Sequence, residues 1–269
     1  MRSTWNVLTP PPGHHVDAAA MNLLLDVPTS TAPGRGLLNF INAHVEVDYL
    51  SLVEYSGAVP SQVDGCTHGD HLPNITAECF ACYKRQYSQL DEVTHLAGRV
   101  QQDVHPSPDV TVVHYGLEDI PDICWRQEIF EHSKLTGRLS FLYAPVARTA
   151  FAINLYRDVS CGPFAPMEID RLTAIAPILR KVHLNALHVR RQRLHAQARK
   201  ALVEQNLLQR APRLSERERE VCVGIVDGLS VDGIAAGMGV APSTVQTLRK
   251  RAYIKLGIEA RSELLLLSN

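Results

Sequence analysis

Residues 214–267 read LSERERE VCVGIVDGLS VDGIAAGMGV APSTVQTLRK RAYIKLGIEA RSELLLL, and the rest of the chain is organised around this stretch. Ser215 and Glu218 have the S-x-x-E spacing of a capping box, in which each side chain satisfies the other's free backbone N–H at a helix start. Val221, Cys222 and Ile225 then supply an apolar stripe, and Gly228 stands where the left-handed turn after a helix favours glycine. Ser230 opens a second helix with Ile234, Ala235 and Met238 inward, and Gly239 makes the next turn. Pro242 suits the first position of a third helix, which Gly257 ends. In that third helix Val245, Leu248, Ala252 and Leu256 recur at three- and four-residue steps, so they form one buried stripe. Thr244, Gln246, Thr247, Lys250 and Arg251 are left on the other side. Two helices joined by a short glycine turn, the second presenting hydroxyl, amide and cationic groups, have the chemistry needed to enter a major groove. Residues 261–267 have the composition of a fourth helix.

These residues resemble the LuxR-type (GerE) helix-turn-helix domain of bacterial transcription regulators. The resemblance rests on L-S-x-R-E at Leu214–Glu218, G-L-S at Gly228–Ser230, I-A at Ile234 and Ala235, S-T-V at Ser243–Val245, K-L-G at Lys255–Gly257 and R-S-E-L at Arg261–Leu264. It implies an all-α four-helix domain over residues 212–269 that binds double-stranded operator DNA. It also implies that Gln246, Thr247 and Lys250 read bases while Ser243, Thr244, Arg249, Arg251 and Lys255 hold phosphates, contacts that set register without specifying sequence. Gly233 stands where the family usually has an acidic residue, and Ala241 where it usually has a Ser or Thr cap. A sigma-factor-like subunit is an alternative reading, since its promoter-reading region also resembles a four-helix element with an S-T-V recognition helix.

Working back from this domain, residues 166–211 carry the longest helical pattern in the chain. Leu172, Ile175, Leu179 and Val182 give one stripe. From Leu184 through Leu187, Arg191, Leu194, Ala198, Ala201 and Gln205 to Leu208 the steps alternate between three and four residues, the pattern of a coiled-coil seam. A homodimer paired along Leu187, Leu194, Ala201 and Leu208 is the expectation, with Ala211-Pro212 as a hinge.

Residues 34–165 read as an α+β sensor domain. Leu37–Val45 fit a helix, Leu50–Tyr55 a strand with a hairpin partner starting near Gln62 and Val63, Ile75–Leu90 a helix, Val110–His114 a strand and Ile123–Ser133 a helix. Two strands, Leu139–Pro145 and Ala150–Tyr156, precede the long helix. This order is similar to GAF- and PAS-like sensor domains, an antiparallel sheet flanked by helices. It implies a small-molecule effector, and Trp125, Arg126, Tyr143 and Tyr83 are the ligand-pocket residues expected. Residues 1–33, with five prolines among small and polar residues, read as a flexible arm with one or two helical turns near Val16–Leu25.

Charge divides the chain in the same way. Residues 1–179 hold 11 Lys or Arg against 20 Asp or Glu, a net −9; residues 180–213 hold 9 against Glu204 alone, a net +8; residues 214–269 hold 7 of each. An acidic body is repelled by DNA and the basic helix is attracted to it. The whole chain of 269 residues is 45% hydrophobic and 20% charged, with no apolar run near the roughly 20 residues a membrane span needs, so a cytoplasmic protein is expected.

The remaining clusters admit more than one chemistry. Cys66, His68, His71, Cys79 and Cys82 combine a C-x-x-C with imidazoles, which suits a metal site or a thiol redox switch and would make the chain a metal- or redox-sensing regulator. Cysteines three apart on a helix also serve as two small buried apolar residues, and no cofactor is the default expectation. His105 and His114, with Asp103 or Asp109, offer acid–base groups without a nucleophile motif, phosphate loop or dinucleotide fingerprint beside them, so catalysis is not expected. RNA polymerase is a further partner open to a regulator of this kind.

Overall fold

In a computed structural model the described residues are 2–7, 16–57, 59–69, 71–102, 109–146 and 148–267. They run β1 (Ser3–Val7), α1 (Ala18–Leu25), α2 (Pro33–Asn42), β2 (Tyr49–Tyr55), β3 (Ser61–Thr67), α3 (Thr76–Gln86), α4 (Glu92–Gln102), β4 (Val110–Gly116), α5 (Ile123–Trp125), β5 (Leu135–Val146), β6 (Thr149–Asp158), α6 (Pro166–Arg210), α7 (Glu216–Val226), α8 (Val231–Met238), α9 (Pro242–Leu256) and α10 (Arg261–Leu267). Two compact units result, Met1–Arg190 and Arg191–Asn269.

The first unit is built on an antiparallel six-stranded sheet in the order β1-β4-β5-β6-β2-β3. Because strand side chains alternate between faces, each strand feeds two cores. Leu50, Leu52, Leu139, Phe141, Ile153 and Leu155 point to one face, where α1, α2 and the front of α6 (Leu172, Ile175, Leu179) cover them. Tyr49, Val53, Tyr55, Leu142, Ala150 and Ala152 point to the other, under α3, α4 and α5. The α+β architecture expected from the element order, an antiparallel sheet flanked by helices, is the one observed.

The structure differs from the sequence expectation in three places. The expected flexible arm of residues 1–33 is part of the fold wherever it is described: β1 pairs with β4 from Ser3↔His114 to Val7↔Val110, and Val7, Ala20, Leu24 and Val27 are buried. The three prolines at 10–12 lie outside the described residues. Second, α4 was not expected as an element. Third, the boundary between compact units falls inside α6, at Arg190, and not at its two ends. The physical reason is that one helix has two sets of contacts: Leu172 to Leu179 pack on the sheet, while Val203 and Leu207 pack with the C-terminal helices.

The start of α6 is tied to the sheet by Arg157, whose guanidinium donates to both carboxylate oxygens of Glu168 at 2.8 and 2.7 Å and to the carbonyl of Glu46 at 2.7 Å. Two turns beyond Ile175, His183 is fully buried, edge-on to Tyr143 and Phe151 and hydrogen-bonded through Nδ1 to the Tyr143 hydroxyl. Burial drives its pKa down from 6.5 to about 4, so the ring is neutral in the fold. Unfolding restores the ordinary value, and between pH 6.5 and about 4 the unfolded chain takes up a proton the fold refuses. The stabilisation is therefore complete above about pH 6.5 and lost towards pH 4, to the extent of about 3 kcal/mol at roughly 1.4 kcal/mol per pH unit. Urea unfolding of the first unit between pH 7 and 4 should show this fall, and His183→Gln should flatten it.

Candidate nucleic-acid interface and ligand cavity

In the second unit each helix start and stop has a local cause. Glu218 N–H donates to Ser215 Oγ at 3.3 Å and Ser215 N–H donates to Glu218 Oε2 at 2.7 Å, the reciprocal capping box that opens α7. Ser230 Oγ accepts from Gly233 N–H at 3.0 Å at the head of α8, and Ala241 provides no such side-chain bond at the head of α9. Gly239 (φ 65°) and Gly257 (φ 66°) hold the left-handed turns that end α8 and α9. The crossing of α7 and α8 depends on Gly224, which no local sequence signal marks: a Cβ there would stand 2.8 Å from Cγ1 of Ile234. Val221, Cys222, Ile234, Ala235, Val245, Ala252 and Leu264 form the core between the helices.

With Val245 and Ala252 turned inward, α9 presents Ser243, Thr244, Gln246, Thr247, Arg249, Lys250 and Arg251 as exposed residues. Thr247 Oγ1 donates to the Ser243 carbonyl at 3.0 Å. Lys255 differs from the phosphate-binding group expected of it. Its Nζ lies 2.6 Å from Oε2 of Glu218, a carboxylate whose pKa is lowered chiefly by that bond. The lysine thus joins the end of α9 to the capping box of α7, because Glu218 is buried and needs a counter-charge there.

This geometry, a buried stripe on α9 with a polar and cationic outer face after a glycine turn, coincides with a sequence match. Residues 212–268 match the family model for bacterial regulatory proteins of the luxR family. They form a luxR-family domain. Over 52 residues the chain is 54% identical to the "Probable transcriptional regulatory protein NarL" of Mycobacterium tuberculosis strain H37Rv, which is 19% of this chain and 24% of that protein. The chain thus spans about a quarter of the length of that curated relative. Among solved structures, it is similar to the VqsR LBD domain of Pseudomonas aeruginosa at 12% identity and a TM-score of 0.47, covering 64% of this chain and 96% of that one. It is also similar to Escherichia coli SdiA at 12% identity and a TM-score of 0.41, covering 93% of this chain and 95% of that one.

On the α3/α5 side of the sheet in the first unit there is a cavity. Tyr49, Ser51 and Val53 of β2, Arg138 of β5 and Asn154 and Tyr156 of β6 form its floor. Thr76, Cys79, Phe80 and Tyr83 of α3 and Trp125, Ile129 and Phe130 close over it. Asp122 caps α5 by accepting from Trp125 N–H at 2.7 Å, and the chain then widens into a π turn over Arg126–Glu131. Ile129 and Phe130 of that wide turn reach the cavity.

Of the four pocket residues expected from sequence, Trp125 and Tyr83 line this cavity and two do not. Arg126 follows Trp125 on a helical segment, where successive residues diverge, and it pairs instead with Glu118 at 3.1 Å and Glu131 at 3.6 Å. Tyr143 lies on the opposite face of the sheet, against His183. The cation in the cavity is Arg138, which no local sequence signal marked. Its guanidinium donates to both oxygens of Asp91 at 2.8 and 2.7 Å, lies 5.7 Å from the Trp125 ring, and is held charged by Asp91 despite its burial.

The Cys/His cluster does not assemble. Cys66 is buried in the core on the α2 side, and burial pushes its thiol up to about 12. Cys79 and Cys82 lie on the α3 side, 3.3 Å from Ser133 Oγ and 3.8 Å from Glu128 Oε2, both with pKa raised by burial. His68 and His71 follow the end of β3. Among the described residues no group of three or more His, Cys, Asp or Glu is placed to hold a metal. Residues alternating along β3 and spaced along α3 approach different faces of the sheet, which proximity in sequence concealed. Asp103 and His105 lie outside the described residues, and His114 sits on β4 with its pKa lowered by burial. Among the described residues no helix is long and apolar enough to cross a membrane.

Proposed function

We propose that the chain is a transcription regulator that reads operator DNA through α9 as a dimer, in response to a small molecule bound in the first unit. The exposed face of α9 within a luxR-family domain is the observation that carries this reading. Gln246, Thr247 and Lys250 reach base edges, where Gln suits adenine and Lys suits guanine; Ser243, Thr244, Arg249 and Arg251 hold phosphates. Lys255 keeps its place through Glu218.

Dimerisation is supported by the middle of α6. Every residue from Arg191 to Leu202 is exposed, and Leu194 and Leu208 are 54% and 46% exposed on the expected seam. Leu187 is half-buried against the sheet-side core, so pairing starts beyond it. A second copy supplies the cover that these leucines lack in one chain, and two α9 helices then meet half-sites about one helical turn apart. Ligand binding shifts the population of the pairing-competent arrangement.

Lys250 and Arg251 separate the two kinds of contact. In titrations against an operator and mismatched sites, Lys250→Ala should lose discrimination, by about 1–3 kcal/mol at its base pair, while Arg251→Ala weakens all sequences alike and lowers the salt slope by about 1. Unchanged selectivity in Lys250→Ala would remove that residue from the base-reading set.

A further inference from the structure

Across the cavity floor the strand registers align Ser51 with Asn154 and Asn154 with Ser140, a polar row through the three adjacent strands β2, β6 and β5. All three are buried, at 5%, 3% and 0% exposure. Their neighbours on the same face, Val53, Ala152 and Leu142, are apolar, so the row is a departure from the pattern of its own sheet. Ser51 Oγ accepts from Gln62 at 3.0 Å. Among the described residues the Asn154 Oδ1 and the Ser140 Oγ have no hydrogen-bond partner, and the Nε of Arg138 makes no bond of normal geometry although the guanidinium lies beside the Tyr156 hydroxyl. Buried polar atoms of this kind cost stability unless something bonds to them, and Asn154 and Arg138 both line the cavity.

Two further properties narrow what that something is. The cavity carries no net charge, since Arg138 is matched by Asp91, which also accepts from the Tyr83 hydroxyl at 2.7 Å. Burial holds Tyr156 protonated, its pKa pushed up to about 12. An ionised ligand would be desolvated there without a free counter-charge. The cavity, about 560 Å3 with its open mouth included, is lined by the rings of Trp125, Phe130, Phe80 and Tyr156, which favour a ring stacked or edge-on over a coiled alkyl chain.

We propose that the cavity takes a small, uncharged, planar aromatic molecule with hydrogen-bond donor and acceptor groups on one edge, that edge lying on Asn154 and the Nε–H of Arg138. This rests on the reading of the first unit as the sensing part of the chain.

Three probes of graded chemistry test it on the full chain carrying Trp5→Phe, whose one remaining tryptophan is Trp125. Benzamide has the ring and the neutral polar edge, benzoate the same shape with a charge, and octanamide the same head on a flexible chain. Benzamide should change Trp125 fluorescence saturably with a Kd at least about tenfold below that of benzoate, the worth of roughly one satisfied buried hydrogen bond, and below that of octanamide because the rigid ring stacks where the flexible chain must be ordered. Asn154→Leu should remove the advantage over benzoate, and the comparison among probes on the Asn154 protein stands even where the variant folds poorly. Benzoate or octanamide binding as tightly as benzamide would overturn the ligand class while leaving a ligand-binding cavity in place. No saturable change with any of the three would overturn the class and the sensing cavity together.

Discussion

Asp91→Ala is expected to destabilise the first unit by about 3–5 kcal/mol, the range for removing one partner of a buried ion pair. Asp91 is fully buried and makes four bonds: two from the Arg138 guanidinium, one from the Tyr83 hydroxyl, and one from the Val93 N–H at 3.0 Å, which caps the start of α4. Deleting the carboxylate strands the Arg138 charge between the rings of Tyr115 and Trp125, 5.0 and 5.7 Å away. It also leaves the first turn of α4 uncapped, a loss of about 1 kcal/mol on its own. Urea unfolding followed through tryptophan fluorescence measures the cost. Replacing both partners, Asp91→Leu with Arg138→Met, should recover much of it, because an apolar pair of similar volume avoids the desolvation of two charges. A cost below about 1 kcal/mol for Asp91→Ala would mean that the pair is solvated and that the cavity floor is wet.

Leu207→Ala should cost the second unit about 2–5 kcal/mol, as for other fully buried leucines. Leu207 is 0% exposed and Val203 3%, and both pack with Leu214, Val221 and their neighbours although they belong to α6. Leu208, the next residue, is 46% exposed. Its replacement by alanine should change the unfolding of a single chain by no more than about 0.5 kcal/mol, the usual bound for a surface site, and should instead lower the affinity between copies. The contrast separates the face of α6 that completes the C-terminal helical core from the face proposed to pair. It follows that residues 212–269 alone lack part of their core and should be less stable than the same residues carrying α6 from Arg191. Equal melting temperatures for the two fragments would contradict this.

The parts of this molecule that were legible in sequence are those with local causes. Ser215 with Glu218, Ser230, Gly228, Gly239, Pro242 and Gly257 each act within a few residues of themselves, and the C-terminal helices fall where those residues put them. The central strands were legible because Leu139 to Tyr143 and Ala150 to Tyr156 are apolar for their length. β1 was hidden by its five residues and by the prolines after it, and its place at the sheet edge is decided by β4, more than 100 residues away. In α4, Val93, Ala97 and Val100 have helical spacing, but Thr94 and Gly98 weaken the propensity and the cap at Asp91 is shared with Arg138.

The cavity was half legible for a similar reason. Trp125 and Tyr83 were found as rings in helical segments, whereas the choice of Arg126 over Arg138 followed adjacency in the chain. Parity along β5 held part of the answer. Tyr143 is five positions from Arg138, so the two face opposite sides of the sheet. What parity does not show is that Asp91, at the start of α4, meets that arginine, a contact 47 residues apart. The pairing of Lys255 with Glu218, 37 residues away, is likewise invisible to pattern.

The central claim is that α9 reads DNA in pairs, and enrichment of sites from a random DNA pool by the full-length chain tests it most directly. A two-fold symmetric sequence should emerge, its half-site centres about one helical turn, roughly 34 Å, apart. Enrichment of no common sequence, or of a single unrepeated half-site, would contradict it.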